Sequence, residues 1–173
     1  MIKDLSTPLG FEDFGVETPE FHFLNILASQ HPAYDASLSV RDLARIGLLM
    51  ARQGLWRGRV IVSSDWINES TAAHSNTDPD LGYGYMWWVG TVDTQAKSPL
   101  ARFKRYFAKG VNGQFLMVIP ALDLVIVHKA RHLLWHSRQA SLQFFSEFMD
   151  AVMAANESLR VTGAEGNREA QYS

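Results

Sequence analysis

Residues 103–129 read FKRYFAKGVNGQFLMVIPALDLVIVHK, and this stretch decides the fold. Three β-prone runs, Phe103 to Lys109, Gln114 to Pro120 and Leu122 to Lys129, are rich in Val, Ile, Phe and Tyr. The first two are separated by Gly110–Gly113 and the last two by Ala121 alone. Connections this short join antiparallel neighbours, because a parallel crossover needs about a dozen residues or more. Pro120 fixes φ at the turn around Ala121. Gly110 and Gly113 remove two side chains from a sheet edge, which lets another backbone or a ligand approach. Taken alone, this is equally a glycine-bracketed turn joining two strands.

Outward from this core the pattern changes period. Ser39 to Gln53 is a helix: Leu43, Ile46, Leu49 and Met50 fall on one face. Ser39 caps it, Asp42 sits three residues on as a capping-box variant, and Gly54 is read as its C′ residue. Trp56–Arg59 reads as a turn and Val60–Val62 as a short extended piece. Ser63 or Ser64 caps a second helix running to about Ala73. Residues 1–35, with Pro8, Pro19 and Pro32, read as loop-rich, with a helix end and turn at Pro8–Phe11. His74–Leu81 reads as a polar surface loop and Tyr83–Val89 as one aromatic strand. Trp56 and Trp66 read as core, whereas Trp87 and Trp88, alternating on a strand, place one ring in the core and the other toward a cleft or a partner. Ser137–Asn156 reads as a final helix with Leu142, Phe145, Phe148, Met149 and Val152 as its apolar stripe. One domain is expected over residues 1–157, followed by a frayed polar tail, 158–173.

Composition narrows the chemistry. The 173 residues carry a formal charge of −2, with 47 % hydrophobic and 20 % charged residues. This balance gives no electrostatic case for nucleic acid or an anionic membrane. There is no cysteine, which removes thiolate nucleophiles, disulfides and Cys-ligated metals. No apolar run is long enough to span a bilayer. Met1–Phe14 has neither the basic start nor the apolar core of a signal peptide, so a cytoplasmic chain is the default expectation, with the compartment of any longer parent open.

A serine nucleophile needs a base held against it. No Gly-x-Ser-x-Gly elbow occurs, and no serine has a lysine three residues later. His128, His132 and His136 recur every four residues, but the first ends a strand and the others lie in a link, so the spacing does not make one helical face, and neither a metal nor another cofactor is expected.

Five segments in a fixed order carry a family resemblance. Pro8-Leu9-Gly10-Phe11-Glu12-Asp13-Phe14, Ser39 to Gly47, Trp56 to Ser70, Gly82 to Trp88 and Gly110 to Phe115 resemble successive motifs of the C-terminal half of serine hydrolases of the β-lactamase and penicillin-binding-protein superfamily. The "YGY-x-WW" and "GQ" forms are similar to those of its esterases and 6-aminohexanoate-dimer hydrolases. The resemblance covers about residues 5–155. It implies an α+β fold, an antiparallel sheet flanked by helices, as part of the β-lactamase/transpeptidase-like architecture. It also implies an active site along the strand that ends at Gly110. Gly110 matches the glycine of the family's Lys-Thr-Gly motif, and Val111 would give its backbone N–H to the oxyanion. Ala108 and Lys109 take the lysine and threonine positions, a departure that weakens lactam recognition and suits an ester or amide.

Other candidates keep two readings each. Lys109 is a substrate contact or a solvated edge lysine. Gln114 reaches a substrate or satisfies local backbone groups. Tyr34 lines a pocket or plugs a loop. The expected function is the C-terminal part of an acyl-transferring serine hydrolase, inactive alone, whose intact relatives act on a small ester or amide. The alternatives are a non-catalytic interaction module that self-associates, or one half of a split enzyme that pairs with a missing N-terminal half.

Overall fold

The computed structural model describes residues 2–14, 21–22, 33–34, 38–110, 113–129 and 147–155. The chain begins with α1 (Ile2–Leu9), an antiparallel pair β1 (Phe21–His22) and β2 (Ala33–Tyr34), and α2 (Val40–Ala51). A small hairpin follows, β3 (Leu55–Trp56) with β4 (Arg59–Val60), then α3 (Ser64–Ser70). Six strands come next: β5 (Ser75–Asp78), β6 (Leu81–Tyr83), β7 (Trp88–Gly90), β8 (Arg105–Gly110), β9 (Gln114–Ile119) and β10 (Leu124–His128). They form one antiparallel sheet in the order β10-β9-β8-β7-β6-β5. Residues 147–155 form a further helix, α4. The architecture is α+β, as the sequence leads one to expect.

Both faces of the sheet are covered, and β9 shows why its sequence is an unbroken apolar run. Side chains alternate across a strand. Phe115, Met117 and Ile119 enter one cluster with Leu100, Phe107, and Met149 and Met153 of α4. Leu116 and Val118 enter the other with Tyr106, Met50 of α2 and Ile67 of α3. Fully burying each such side chain is worth roughly 1.5–3 kcal/mol. α2 lies close on β9 and β10: a Cβ on Gly47 would sit 2.4 Å from Val125 Cγ1 and 2.9 Å from Leu116 Cδ1. Trp87 and Trp88 straddle this arrangement. Trp87 meets Tyr106 edge-on at 5.3 Å, and Trp88 stacks on Phe107 at 6.3 Å. Both therefore pack against core clusters, one on each face, and neither faces a cleft.

The caps follow their residues. Ser39 Oγ accepts from the Asp42 N–H at 3.1 Å, and Ser63 Oγ from the Trp66 N–H at 3.2 Å. At the end of α2 the Gly54 N–H reaches the Leu49 carbonyl at 2.8 Å, and the Gln53 N–H reaches that of Met50 at 3.2 Å. This is a Schellman pattern, in which Gln53 is the C′ residue and Gly54 the next one, a one-residue correction.

Asp42 is not a capping-box partner. Its carboxylate is fully buried, where it accepts the backbone N–H groups of Glu12 (3.1 Å) and Asp13 (3.3 Å) and Arg45 Nη1 at 2.7 Å. One side chain thus pins the turn after α1 onto α2. Arg41 closes the same junction through Asp13 at 3.0 Å. Hydrogen bonds from Ser39 and Arg41 hold the Asp13 carboxyl below its ordinary value.

Five other expectations are corrected. The N-terminal stretch, which reads as loop-rich, opens with a full helix, α1, ending at Leu9 where the sequence places a helix end and turn. Ser75–Asp78 is an edge strand despite its polarity, since β6 offers it a hydrogen-bonding partner. Tyr83–Val89 breaks into two strands around a reversal, with the Gly84 N–H donating to the Trp87 carbonyl at 2.8 Å and Met86 at φ 66°. Trp66 is half-exposed, stacked on Tyr85 at 5.6 Å. The turn after β9 takes Pro120 to Asp123, with Asp123 left-handed, because one residue cannot reverse the chain.

Candidate functional site

β8 and β9 pair in register from Tyr106 with Val118 to Gly110 with Gln114. That register leaves three residues in the connection, the last of them Gly113 at φ 76°. A three-residue hairpin loop places a left-handed residue at this position, which glycine adopts without the Cβ clash. The Gly110–Gln114 pair closes the turn at the end of the sheet.

The strand behind the turn is firmly held. Tyr106, buried on β8, donates its hydroxyl to the Met50 carbonyl of α2 at 3.1 Å. Burial raises its pKa, so the phenol stays a neutral donor. Ala108 packs against the cluster beneath α2 and α3, so no cation stands at that position. Lys109 follows on the opposite face and is exposed. Gly110 is exposed too, and Gln114 is half-buried.

Two further residues converge here. His128 Nδ1 lies 2.7 Å from the Gly113 carbonyl, and its ring lies 6.4 Å from that of Phe115, its partner across the β9–β10 ladder. The imidazole donates to this carbonyl and fixes the turn from behind. Lys129 Nζ bonds the Leu38 carbonyl, tying the end of β10 to the segment that enters α2. The sequence shows His128 only as a strand end in a four-residue histidine series and gives Lys129 no role. A one-residue turn at Ala121 would set Val127 opposite Phe115; the longer turn through Asp123 shifts the register by one and places His128 there, two residues from Gly113.

The structure therefore brings Lys109, Gly110, Gly113 and Gln114 to one end of the sheet. The backbone of Tyr34 belongs to β2, paired with Phe21. Val111, the side chain of Tyr34, His132 and His136 lie outside the described residues. Among the described residues no group of three or more His, Asp or Glu could hold a metal ion, and no helix is long and apolar enough to cross a membrane. Four of the described serines have other work: Ser39 and Ser63 cap helices, Ser70 donates to the Ile67 carbonyl at 3.2 Å, and Ser98 to Asp150 Oδ1 at 2.5 Å.

His128→Ala would free the Gly113 carbonyl. We expect faster amide exchange confined to Gly113, Gln114 and their neighbours, and a stability loss of about 1 kcal/mol. Exchange monitored by NMR checks this; unchanged protection would contradict the holding role.

No family model matches the chain. A 6-aminohexanoate-dimer hydrolase from Paenarthrobacter ureafaciens is 30 % identical over 134 residues, 67 % of this chain and 31 % of that protein. A solved Bacillus anthracis structure, provisionally named for the same activity, superimposes with a TM-score of 0.53 at 20 % identity, over 73 % of this chain and 31 % of its own. The second likeness speaks for the fold. The chain spans about a third of the length of either relative. Over that part, the chain is a relative of the β-lactamase-like serine hydrolases.

Proposed function

We propose that this chain supplies the oxyanion side of a serine-hydrolase active site. β8, the 110–114 turn and β9 would form one wall of a pocket for a small ester or amide. The observation that carries the reading is the turn: bracketed by glycines, closed by the Gly110–Gln114 pair, and fixed at the Gly113 carbonyl by His128. Backbone N–H groups stabilise a tetrahedral oxyanion when they are immobile before it forms, and one such donor is worth roughly 3 kcal/mol. Val111 is the donor in this reading. Lys109 and Gln114, at the mouth, would contact the rest of the substrate.

The reaction class is acyl transfer from ester or amide to a serine hydroxyl, then to water. No serine of this sequence has a lysine three residues later, so the nucleophile and base come from residues outside it. Ala108, packed into the core, weakens a reading as a lactam-binding site. The relative's name makes 6-aminohexanoate dimer the first amide to try.

The test mixes the purified chain with a second chain carrying the unmatched part of the Paenarthrobacter ureafaciens hydrolase. p-Nitrophenyl acetate and 6-aminohexanoate dimer serve as substrates. We expect turnover only on mixing, abolished by Val111→Pro, which deletes the N–H. Two chains that co-elute yet hydrolyse neither substrate would contradict the proposal.

A further inference from the structure

The two neighbours of β8 stop at different levels. β9 pairs with it as far as Gly110, whereas β7 pairs with it only as far as Phe107, opposite Trp88. Among the described residues, Ala108, Lys109 and Gly110 therefore have no strand beside them on the β7 side. The chain reverses just there, where the Gly84 N–H meets the Trp87 carbonyl. Extending the β7–β8 register sets Trp87 level with Ala108 and Met86 level with Lys109. The turn between β6 and β7 thus borders the open end of β8, at the same end of the sheet as the 110–114 turn.

This turn is fixed, yet its tip is exposed. Tyr85 gives its N–H to the Ser70 carbonyl at 2.9 Å, and its ring stacks on that of His74 at 4.4 Å. A Cβ on Gly84 would lie 2.4 Å from the same Ser70 oxygen, so the turn rests directly on the end of α3. Met86 is different. It is 79 % exposed, the most exposed of the large apolar side chains described, and sits at φ 66°. A left-handed conformation strains any residue with a Cβ, and methionine, unlike Asn or Asp, gains no local hydrogen bond there. Neither burial nor backbone preference accounts for a methionine at this position. The Tyr83 hydroxyl donates to its sulfur at 4.0 Å, and Tyr83 packs edge-on against Trp88 at 4.9 Å. Trp88 stacks on Phe107, which shares a sheet face with Lys109. Met86 and Lys109 thus bound one face of the open edge, an apolar and adaptable side chain beside a cation.

We infer that Met86 sets the chain length this pocket prefers, by packing against an unbranched apolar arm of the substrate laid along the open edge of β8. The inference rests on the proposed catalytic role. Met86 is level with Lys109, two residues before Val111, a separation of ~7 Å at the rise of a strand. An acetyl group held at the turn falls short of it, and a hexanoyl or hexyl chain reaches it. Both the acyl and the alcohol side of an ester can supply such an arm, and the experiment separates them.

A mixture of this chain with the unmatched part of the Paenarthrobacter ureafaciens hydrolase tests it. p-Nitrophenyl hexanoate is compared with p-nitrophenyl acetate for the acyl arm, and hexyl acetate with ethyl acetate for the alcohol arm. One pair should show the longer member favoured about tenfold in kcat/KM. Met86→Ser should cut that ratio about tenfold, and Met86→Leu should keep it. Met86→Gly relieves the backbone, so it should lower the ratio as serine does while unfolding at no lower temperature than wild type; a methionine needed only for folding would cost stability instead. Turnover with both ratios near one, a ratio indifferent to Met86→Ser, or a Met86→Gly chain that loses ratio and stability together would overturn the inference and leave the catalytic reading standing. No turnover of any of the four esters would overturn both.

Discussion

Asp42→Ala is expected to lower the unfolding free energy by about 3 kcal/mol, and to release the turn after α1 from the body of the protein. The carboxylate is fully buried and serves three donors: the N–H groups of Glu12 and Asp13, and Arg45. Alanine leaves both amides without the acceptor they share. Arg45 keeps Glu12 as a partner, so the charge itself is not stranded, which sets the loss at the lower end for breaking a buried pair. Urea denaturation gives the stability. Limited proteolysis between Gly10 and Phe14 gives the local consequence, since the variant should be cut there first. An Asp42→Ala chain within 1 kcal/mol of wild type would show that the carboxylate is not what joins α1 to α2.

Gly54→Ala is expected to cost a similar amount, about 3 kcal/mol, for a different reason. Gly54 sits at φ 81°, and a Cβ built there lies 1.8 Å from the Val62 carbonyl oxygen. The obstacle is backbone, so no rotamer relieves it. Moving Val62 away would break the bonds that the Ile61 and Val62 N–H groups make to the Gly54 carbonyl, at 2.9 and 3.4 Å. The end of α2, the β3–β4 hairpin and the lead into α3 must then shift together. Thermal unfolding measures the loss. Amide exchange should rise at Ile61 and Val62 before it rises in β9, and a variant as stable as wild type would contradict the close approach.

Much of this fold is legible in the sequence because its signals are local. The Gly110–Gly113 interval and the short break after Ile119 force an antiparallel meander, and the 3.6-residue pattern from Leu43 to Met50 gives α2. What the sequence hides is set by partners distant along the chain. Asp42 reads as a cap because the donors it serves are about 30 residues away. Ser75–Asp78 reads as loop because edge strands need no apolar face, only a neighbour's free backbone. Trp66 reads as core by residue type, yet on α3 it is the neighbouring Ile67 that enters the core, and the Trp66 ring finds Tyr85 instead. At the candidate site, Lys109, Gly110, Gly113 and Gln114 follow from the hairpin, because strand register places them together. His128 and Lys129 arrive from β10, and only the three-strand pairing brings them to the turn.

The central claim is that this chain holds the strand and turn of an acyl-transfer site but no nucleophile. Labelling the purified chain with a fluorophosphonate, followed by mass spectrometry, tests it most directly, because the reagent marks a serine only where a base activates it. The account predicts no adduct on any serine, and no p-nitrophenyl acetate turnover above the uncatalysed rate. A stoichiometric adduct on one serine, with turnover lost in proportion, would contradict it.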